Sequence, residues 1–454
     1  ESFERELMMR KYEKYKDSRV EWIGEVPEHW EITRLKNITK LYGRIGFRGY
    51  TQNDLVPKSE GAITLSPSNM KNGTMDYSKC SYLTWAKYYE SPEIIIRNED
   101  VLFVKTGSTY GKVSYVSGLP MQSTINPQIV VFKEVRCNRK FLFYLLINNV
   151  IQDQVAFTVG GSTIPTLSQE NILNYSFALP KIIEQESIAS YLDSKIGEID
   201  GMIEKTEKKI KLYEELKKSI ITHAVTKGLN PNAKMKDSGV EWIGEVPEHW
   251  NKCRLKFNCC LKGRIGWNGL RSDEFETDSY AYLVTGQDFK SSDIEWSKCY
   301  QINKNRYEED PFIQLKNGDL LITKDGTIGK IAKVSNMDKS ACLNSGIFVM
   351  KQKSKKNEFT QGFLYWLLCS DLFKAFNQYT TTGTTILHLY QNVFENMPLL
   401  IPSLPEQQSI ASYLDSKTST IDSQISIAHK RIDLLKELKS SLITNVVTGK
   451  IKVC

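Results

Sequence analysis

Lys16-Asp-Ser-Arg-Val-Glu-Trp-Ile-Gly-Glu-Val-Pro-Glu-His-Trp30 is written again, with one residue changed, as Lys236-Asp-Ser-Gly-Val-Glu-Trp-Ile-Gly-Glu-Val-Pro-Glu-His-Trp250. The shift is 220 residues, close to half of the 454-residue chain. A second pair, Gln185-Glu-Ser-Ile-Ala-Ser-Tyr-Leu-Asp-Ser-Lys195 and Gln407-Gln-Ser-Ile-Ala-Ser-Tyr-Leu-Asp-Ser-Lys417, recurs at a shift of 222. Between these anchors Gly43-Arg-Ile-Gly46 matches Gly263-Arg-Ile-Gly266, Asp100-Val-Leu matches Asp319-Leu-Leu, and Lys105-Thr-Gly107 matches Lys324-Asp-Gly326. The offset drifts only from 218 to 222, so both copies are expected to share one fold. Two similar surfaces on one chain suit a target with two parts.

Each copy has two textures. The first is rich in short β-type runs, such as Ile94-Ile-Ile, Val101-Leu-Phe-Val, Ile129-Val-Val-Phe, Leu320-Leu-Ile-Thr and Ile347-Phe-Val-Met, separated by Gly, Asn, Asp and Ser. A helical-looking segment, Arg139 to Val155, lies between strands, and its partner is Phe363 to Phe376. This predicts a mixed α/β globule of about 165 residues, within the usual domain size.

The second texture is a heptad. Apolar or small residues fall at Leu192, Ile196, Ile199, Ile203, Thr206, Ile210, Tyr213 and Ile220. The other copy places Leu414, Thr418, Ile421, Ile425, Ala428, Ile432, Leu435 and Leu442 along the same stretch. Alternating steps of four and three mark a coiled-coil seam. Ser403-Leu-Pro-Glu406 has the form of a capping box, and Gly228 and Gly449 stand where a glycine stop belongs. From Glu184 to Thr226 a continuous helix would be about 64 Å long. Each helix has one apolar stripe and needs a partner, so the two are predicted to pair antiparallel. Pairing would return Val447–Cys454 to the N-terminal segment.

The predicted organisation is an N-terminal segment 1–17, partly helical; a first α/β domain 18–181; a first long helix 182–228; and a linker 229–237. A second α/β domain 238–403, a second long helix 404–449 and a tail 450–454 follow. The fold class is therefore α/β: two tandem α/β domains separated by two long helices packed as an antiparallel coiled coil, with an internal pseudo-twofold repeat.

Composition narrows the function. Hydrophobic content of 41% and charged content of 25% are those of an ordinary globular protein, and no apolar run reaches the ~20 residues needed to span a bilayer. The charged start, Glu1-Ser-Phe-Glu-Arg-Glu, does not read as a secretory signal. Nine cysteines without a Cys-x-x-Cys pair point to neither a disulfide framework nor structural zinc. The net charge of +7 permits a polyanion partner without demanding one.

Catalytic motifs are not evident. No Asn-Pro-Pro-aromatic or Asp-Pro-Pro-aromatic tetrapeptide is present. Gly107-Ser-Thr-Tyr-Gly-Lys112 and Gly326-Thr-Ile-Gly-Lys330 miss the phosphate-loop spacing, and Val113 and Ile331 replace the hydroxyl that would hold Mg²⁺. Glu215-Leu-Lys217 and Glu437-Leu-Lys439 sit within the heptads and read as solvated helix charge. His29 and His249 lack metal-ligand neighbours and read as structural, like the repeated Trp22, Trp30, Trp242 and Trp250.

A surface that reads two different sequences should differ between copies, and the loops do. The DNA-contact candidates of the first copy are Arg44, Arg48, Tyr50, Thr51 and Gln52; Lys105, Thr106, Ser108, Thr109, Tyr110 and Lys112; and Ser162 and Thr163. Those of the second are Arg264, Asn268 and Arg271; Lys324, Asp325, Thr327 and Lys330; and Thr384, Thr385 and His388. Such side chains contact base edges and phosphates, and Gly-rich turns let backbone N–H groups approach phosphate. Arg44 and Arg264 are expected on the DNA backbone rather than on bases.

Taken in order and twice, these features resemble the DNA specificity subunit of Type I restriction–modification systems. The likeness covers nearly the whole chain. It rests on Leu179-Pro180 with Glu184-Gln185, Leu404-Pro405 with Glu406-Gln407, the repeated helices, and Asp100 with Gly107 and Asp319 with Gly326 before and within the Gly-rich turns. The resemblance implies two target recognition domains reading a split, asymmetric double-stranded DNA site. It implies helices that act as a ruler and dock two modification (methyltransferase) subunits, with restriction (translocase/endonuclease) subunits in the full complex. It further implies a non-catalytic chain in a prokaryotic cytoplasm, serving phage defence and binding no cofactor, with S-adenosylmethionine, ATP and Mg²⁺ on the partners. A 64 Å rod bounds the span at ~19 base pairs, and reading one groove face favours half-sites ~34–36 Å apart. The alternatives are a coiled-coil protein-interaction scaffold without sequence-specific DNA reading, and a fused restriction–methylation enzyme.

Overall fold

The computed structural model describes residues 11–159, 166–264, 269–290, 292–353, 360–380 and 388–453. The chain forms two compact units. One holds the residues up to Thr206 together with those from Lys430, and the other holds Glu207–His429.

In the first unit a four-stranded antiparallel sheet runs in the order Val113–Tyr115, Val101–Val104, Ile129–Lys133, Lys40–Gly43. Val101-Leu-Phe-Val104 is apolar at every position because both of its faces are covered. Val101 and Phe103 point into a core shared with helices, while Leu102 and Val104 join the core of a second sheet. That sheet runs Ser123–Ile125, Gly61–Leu65, Ser81–Thr84, Leu55–Val56, and its first two strands are parallel.

The second unit repeats the plan. Its sheet runs Cys259–Lys262, Ile347–Gln352, Leu320–Thr323, Ile331–Lys333. The companion sheet runs Tyr300–Ile302, Ala281–Val284, Ala341–Leu343, again with a parallel pair. Leu320 and Ile322 face the helical core, and Leu321 faces the companion sheet.

Two sequence expectations need correction. Arg139 to Val155 is not one helix. Arg139–Ile147 and Asn149–Val159 are separate helices, because the Asn148 side chain accepts from the Val150 N–H at 2.6 Å and restarts the chain. In the second unit Ser370 divides Gln361–Cys369 from Asp371–Thr380 in the same way. Ile94-Ile-Ile is not a strand either. Pro92 opens a 3₁₀ turn, Pro92–Ile94, and Ile96 makes only an isolated bridge to Ser123. Nearer the start, Tyr15–Asp17 is a strand paired with Glu25–Pro27, and the stretch expected to be a linker contributes Met235–Asp237, paired with Glu245–Pro247.

The long helices are Ile182–Lys227, of 46 residues, and Leu404–Val447, of 44 residues. They pack antiparallel. In the first unit Ile188, Leu192, Ile196 and Ile199 share a core with Leu442, Ile443, Val446 and Val447. In the second, Ile221, Ala224 and Val225 share one with Ile410, Ala411 and Leu414. Two ion pairs fix the register. Lys439 Nζ lies 2.6 and 2.8 Å from the Asp200 carboxylate, and Lys217 Nζ lies 2.6 and 2.7 Å from that of Asp422. Moving forward from 200 to 217 on one helix is matched by moving back from 439 to 422 on the other. Asp200 and Lys217 are also the repeat equivalents of Asp422 and Lys439.

Along the heptad, Ile210, Ile421 and Ile432 are buried, as are Thr206, Thr418 and Ala428; Ile203, Tyr213, Ile425 and Leu435 are half-buried. Near the end of the first helix the phase slips by one. Ile221 is buried rather than Ile220, since here the helix docks on a globular core.

The repeated motifs are explained at the helix starts. His29 Nε2 lies 3.1 Å from Glu184 Oε2, and His249 Nε2 lies 2.8 Å from Glu406 Oε2. Trp250 Nε1 donates to Glu406 Oε1 at 3.2 Å, whereas in the first unit the Tyr12 hydroxyl donates to Glu184 Oε1. Glu406 therefore binds His249 and Trp250 where the sequence suggested a capping box. Gln185 donates to the Pro180 carbonyl and accepts from the Asn138 N–H, and Gln407 does the same with Pro402 and Thr360. Each Glu-Gln pair thus ties the strand end, the domain's helices and the long helix together. The C-terminal stretch returns to the N-terminal motif: the Tyr15 hydroxyl donates to the Gly449 carbonyl at 3.1 Å, and Ile451 and Val453 pack on the first core.

Candidate nucleic-acid interface

Sheet pairing brings the ends of several strands to one edge. In the first unit Val104 pairs with Ile129, Gly43 with Val130, and Leu65 with Ile125. The loops after Gly43, Leu65, Val104 and Ile125 therefore emerge together. Cross-links hold them: the Asn126 N–H donates to the Leu65 carbonyl, the Lys105 N–H to the Gln128 carbonyl, and the Leu167 N–H to the Lys105 carbonyl. The second unit repeats these bonds as Asn344 to Val284, Lys324 to Gly346 and Leu389 to Lys324. Ligands commonly bind beyond the carboxyl ends of parallel strands, and this edge is such a place.

The Gly-rich turns lie on this edge. Gly107 and Gly111, like Gly326 and Gly329, have positive φ, which side chains other than glycine rarely adopt. Ser108 and Thr109 are exposed at the tip of the first turn, Lys105 and Thr106 are half-buried, and Lys112 Nζ donates to the Pro67 carbonyl at 3.3 Å. Tyr110 packs its ring partly on the helical core and so points back into the domain. In the second unit Asp325, Thr327 and Lys330 line a cleft of ≈ 720 Å³, with Ser272, Phe275, Thr285, Gln287, Tyr300 and Asn344. Arg271 is exposed beside Ser272. Lys324 is turned inward, with Nζ 3.1 Å from Asp325 Oδ2 and above the Phe348 ring. His388 meets Asp325 through Nδ1.

The arginines of the repeated Gly-Arg-Ile-Gly require a correction. Arg44 and Arg264 are each 4% exposed. Arg44 donates to the Ile125 and Arg48 carbonyls and to Thr124 Oγ1, and its guanidinium lies over the Tyr50 ring. Burial holds its pKa below the usual arginine value, opposed by Tyr50, Glu90 and Glu93. Arg264 donates to the Leu343 carbonyl and to Cys342 Sγ. Both arginines fasten the loop edge from inside and are not placed to touch DNA. Arg48 pairs with Glu93 at 3.3 Å, and the Tyr50 hydroxyl shares a hydrogen bond with Thr64 Oγ1, so these two are also engaged within the domain. Thr51 and Gln52 are exposed, but they lead into Leu55–Val56, at the opposite edge of the second sheet from Ser123–Ile125. Ser162, Thr163, Asn268, Thr384 and Thr385 lie outside the described residues.

Ser66, Ser68, Asn126 and Gln128 in the first unit, and Thr285, Gln287, Tyr300 and Asn344 in the second, also lie at this edge, although the sequence did not single them out. A signal was available: most are polar residues following a short buried strand, and Asn126 and Asn344 occupy one repeat position. Trp30 and Trp250 are fully buried and serve packing, while Trp22 and Trp242 are half-buried beside Phe157 and Tyr379. The eight described cysteines are free, and burial pushes the Cys137 and Cys259 thiols up to about 12, which leaves them unreactive. Among the described residues no cluster of three or more potential metal ligands occurs, and no helix is long and apolar enough to cross a membrane.

Duplicated α/β units, paired long helices and a loop edge that differs in part between copies define a protein with two similar recognition domains. The chain belongs to the Type I restriction modification DNA specificity domain family, which matches residues 27–212 and 272–437. It is similar to the MjaVIII specificity subunit of Methanocaldococcus jannaschii, with 25% identity across 94% of each chain. In fold it resembles a chain solved in work on the complex assembly and conformational transition of the type I R-M system. That match has a TM-score of 0.69 and 16% identity, covering 93% of this chain and 98% of that one. It also resembles the HsdS subunit from Thermoanaerobacter tengcongensis, with a TM-score of 0.52 and 16% identity, covering 94% and 98%.

Proposed function

We propose that this chain is the sequence-specific, non-catalytic DNA-binding subunit of a Type I restriction–modification system. It reads a bipartite, asymmetric double-stranded site, one half-site per recognition domain (18–181 and 238–403). The spacer helices, 182–228 and 404–449, set the half-site separation and dock the modification and restriction subunits. S-adenosylmethionine, ATP and Mg²⁺ belong to those partners. The observation that carries this reading is a contrast within the repeat: the residues that seat the helices recur, while part of the loop edge changes, as from Thr106 and Thr166 to Asp325 and His388. A scaffold for one partner in two copies would need no such divergence.

Lys105, Thr106, Ser108, Thr109 and Lys112 form the contact face of the first domain. Arg271, Asp325, Thr327, Lys330 and His388 form that of the second. An electrophoretic shift tests it. The chain assembled with its modification subunits should retard one bipartite duplex in moderate salt, and scrambling either half should abolish the shift. Equal retardation of scrambled duplexes would favour the protein-only scaffold.

A further inference from the structure

The two loop edges differ in charge at one pair of facing positions. In the second unit Asp325 follows Lys324, and His388 precedes Leu389, whose N–H donates to the Lys324 carbonyl at 2.9 Å. The side chains meet, His388 Nδ1 against Asp325 Oδ1. In the first unit the same backbone bond joins Leu167 to Lys105 at 2.8 Å, but the flanking residues are Thr106 and Thr166, themselves joined by a backbone bridge. The scaffold is unchanged; a neutral pair has become an acid and an imidazole.

We propose that Asp325, oriented by His388, is the residue through which the second domain selects cytosine at one position of its half-site. This rests on the DNA-reading role proposed above. Asp325 lines the polar cleft, and its side chain is 44% exposed. A carboxylate offers about four acceptor directions. His388 takes one on Oδ1 and Lys324 one on Oδ2, at 3.1 Å, which leaves acceptor capacity facing outward. A carboxylate at a DNA-facing edge is repelled by phosphates, so it favours binding only where it meets a base donor. The major-groove donors are the amino groups of cytosine and adenine. Adenine places the N7 acceptor beside its amino group, which opposes a carboxylate; cytosine has no acceptor there. His388 is a positioning residue, fixing the carboxylate while its ring packs edge-on against Tyr390 at 4.7 Å.

The test is selection of duplexes randomised in both halves by the full chain assembled with its modification subunits. Wild type should hold one C·G pair in one half-site. Asp325→Asn should move that position to adenine, whose N6 and N7 suit a carboxamide, with a change in preference of about tenfold. His388→Gln should weaken the cytosine preference severalfold at the same position and at no other. Unchanged preferences in Asp325→Asn would overturn the proposal. So would a loss spread over the whole half-site with a lower melting temperature, which would make the pair a loop clamp. A wild-type complex that selects no bipartite sequence would instead sink the DNA-reading function itself.

Discussion

At the residue scale, chemistry suited to one task is used here for another. Arginine is the commonest specific reader of guanine and a ready phosphate partner. Yet Arg44 and Arg264 spend their donors on the carbonyls of Ile125 and Leu343, at the strand ends that carry the variable loops. A buried, hydrogen-bonded guanidinium cannot be removed without orphaning its acceptors. Arg264→Ala should therefore lower the stability of the second unit by about 2–4 kcal/mol, read as a shift in the urea midpoint. Unchanged stability with weakened DNA binding would return Arg264 to the contact face. Sequence alone could not separate these roles, because a repeated Gly-Arg-Ile-Gly gives side-chain type but not direction.

At the element scale, the long helices were the most legible part of the chain. Their heptads start at Leu192 and Leu414 within helices of 46 and 44 residues, and Leu192, Ile196, Ile199, Leu414 and Ile421 are buried where the period puts them. The short strands were legible where both faces are buried, as in Val101-Leu-Phe-Val104. Helix breaks at Asn148 and Ser370 were not, because they depend on side-chain bonds to the next turn. The loop edge was half legible. The Gly-rich turns announced themselves, but the approach of Asn126 or Gln287 is set by sheet pairing between distant segments. The ion pairs Asp200–Lys439 and Lys217–Asp422 are partly exposed and contribute only about 0.2–1 kcal/mol each, so they set register more than stability. Removing one heptad from each long helix, in phase with the repeat, should shorten the preferred spacer between half-sites by about three base pairs, given ~1.5 Å per residue and ~3.4 Å per base pair. An unchanged spacer in a binding selection would refute the helices as the ruler.

At the scale of the whole molecule, the duplication separates what must be shared from what must differ. Matching seats recur at Glu184 and Glu406, which each meet a histidine, at Gln185 and Gln407, and at buried Trp30 and Trp250. Each copy can then change its loop edge without disturbing the way its domain is joined to the helices. Modular reading follows from that separation, and one measurement addresses it most directly. Residues 18–181 would be replaced by the corresponding domain of another member of the family, and the methylated sites mapped by sequencing in cells that also supply the modification subunits. The expected result is a new sequence in one half-site, with the other half and the spacer unchanged; altered sequence in both halves would contradict the account.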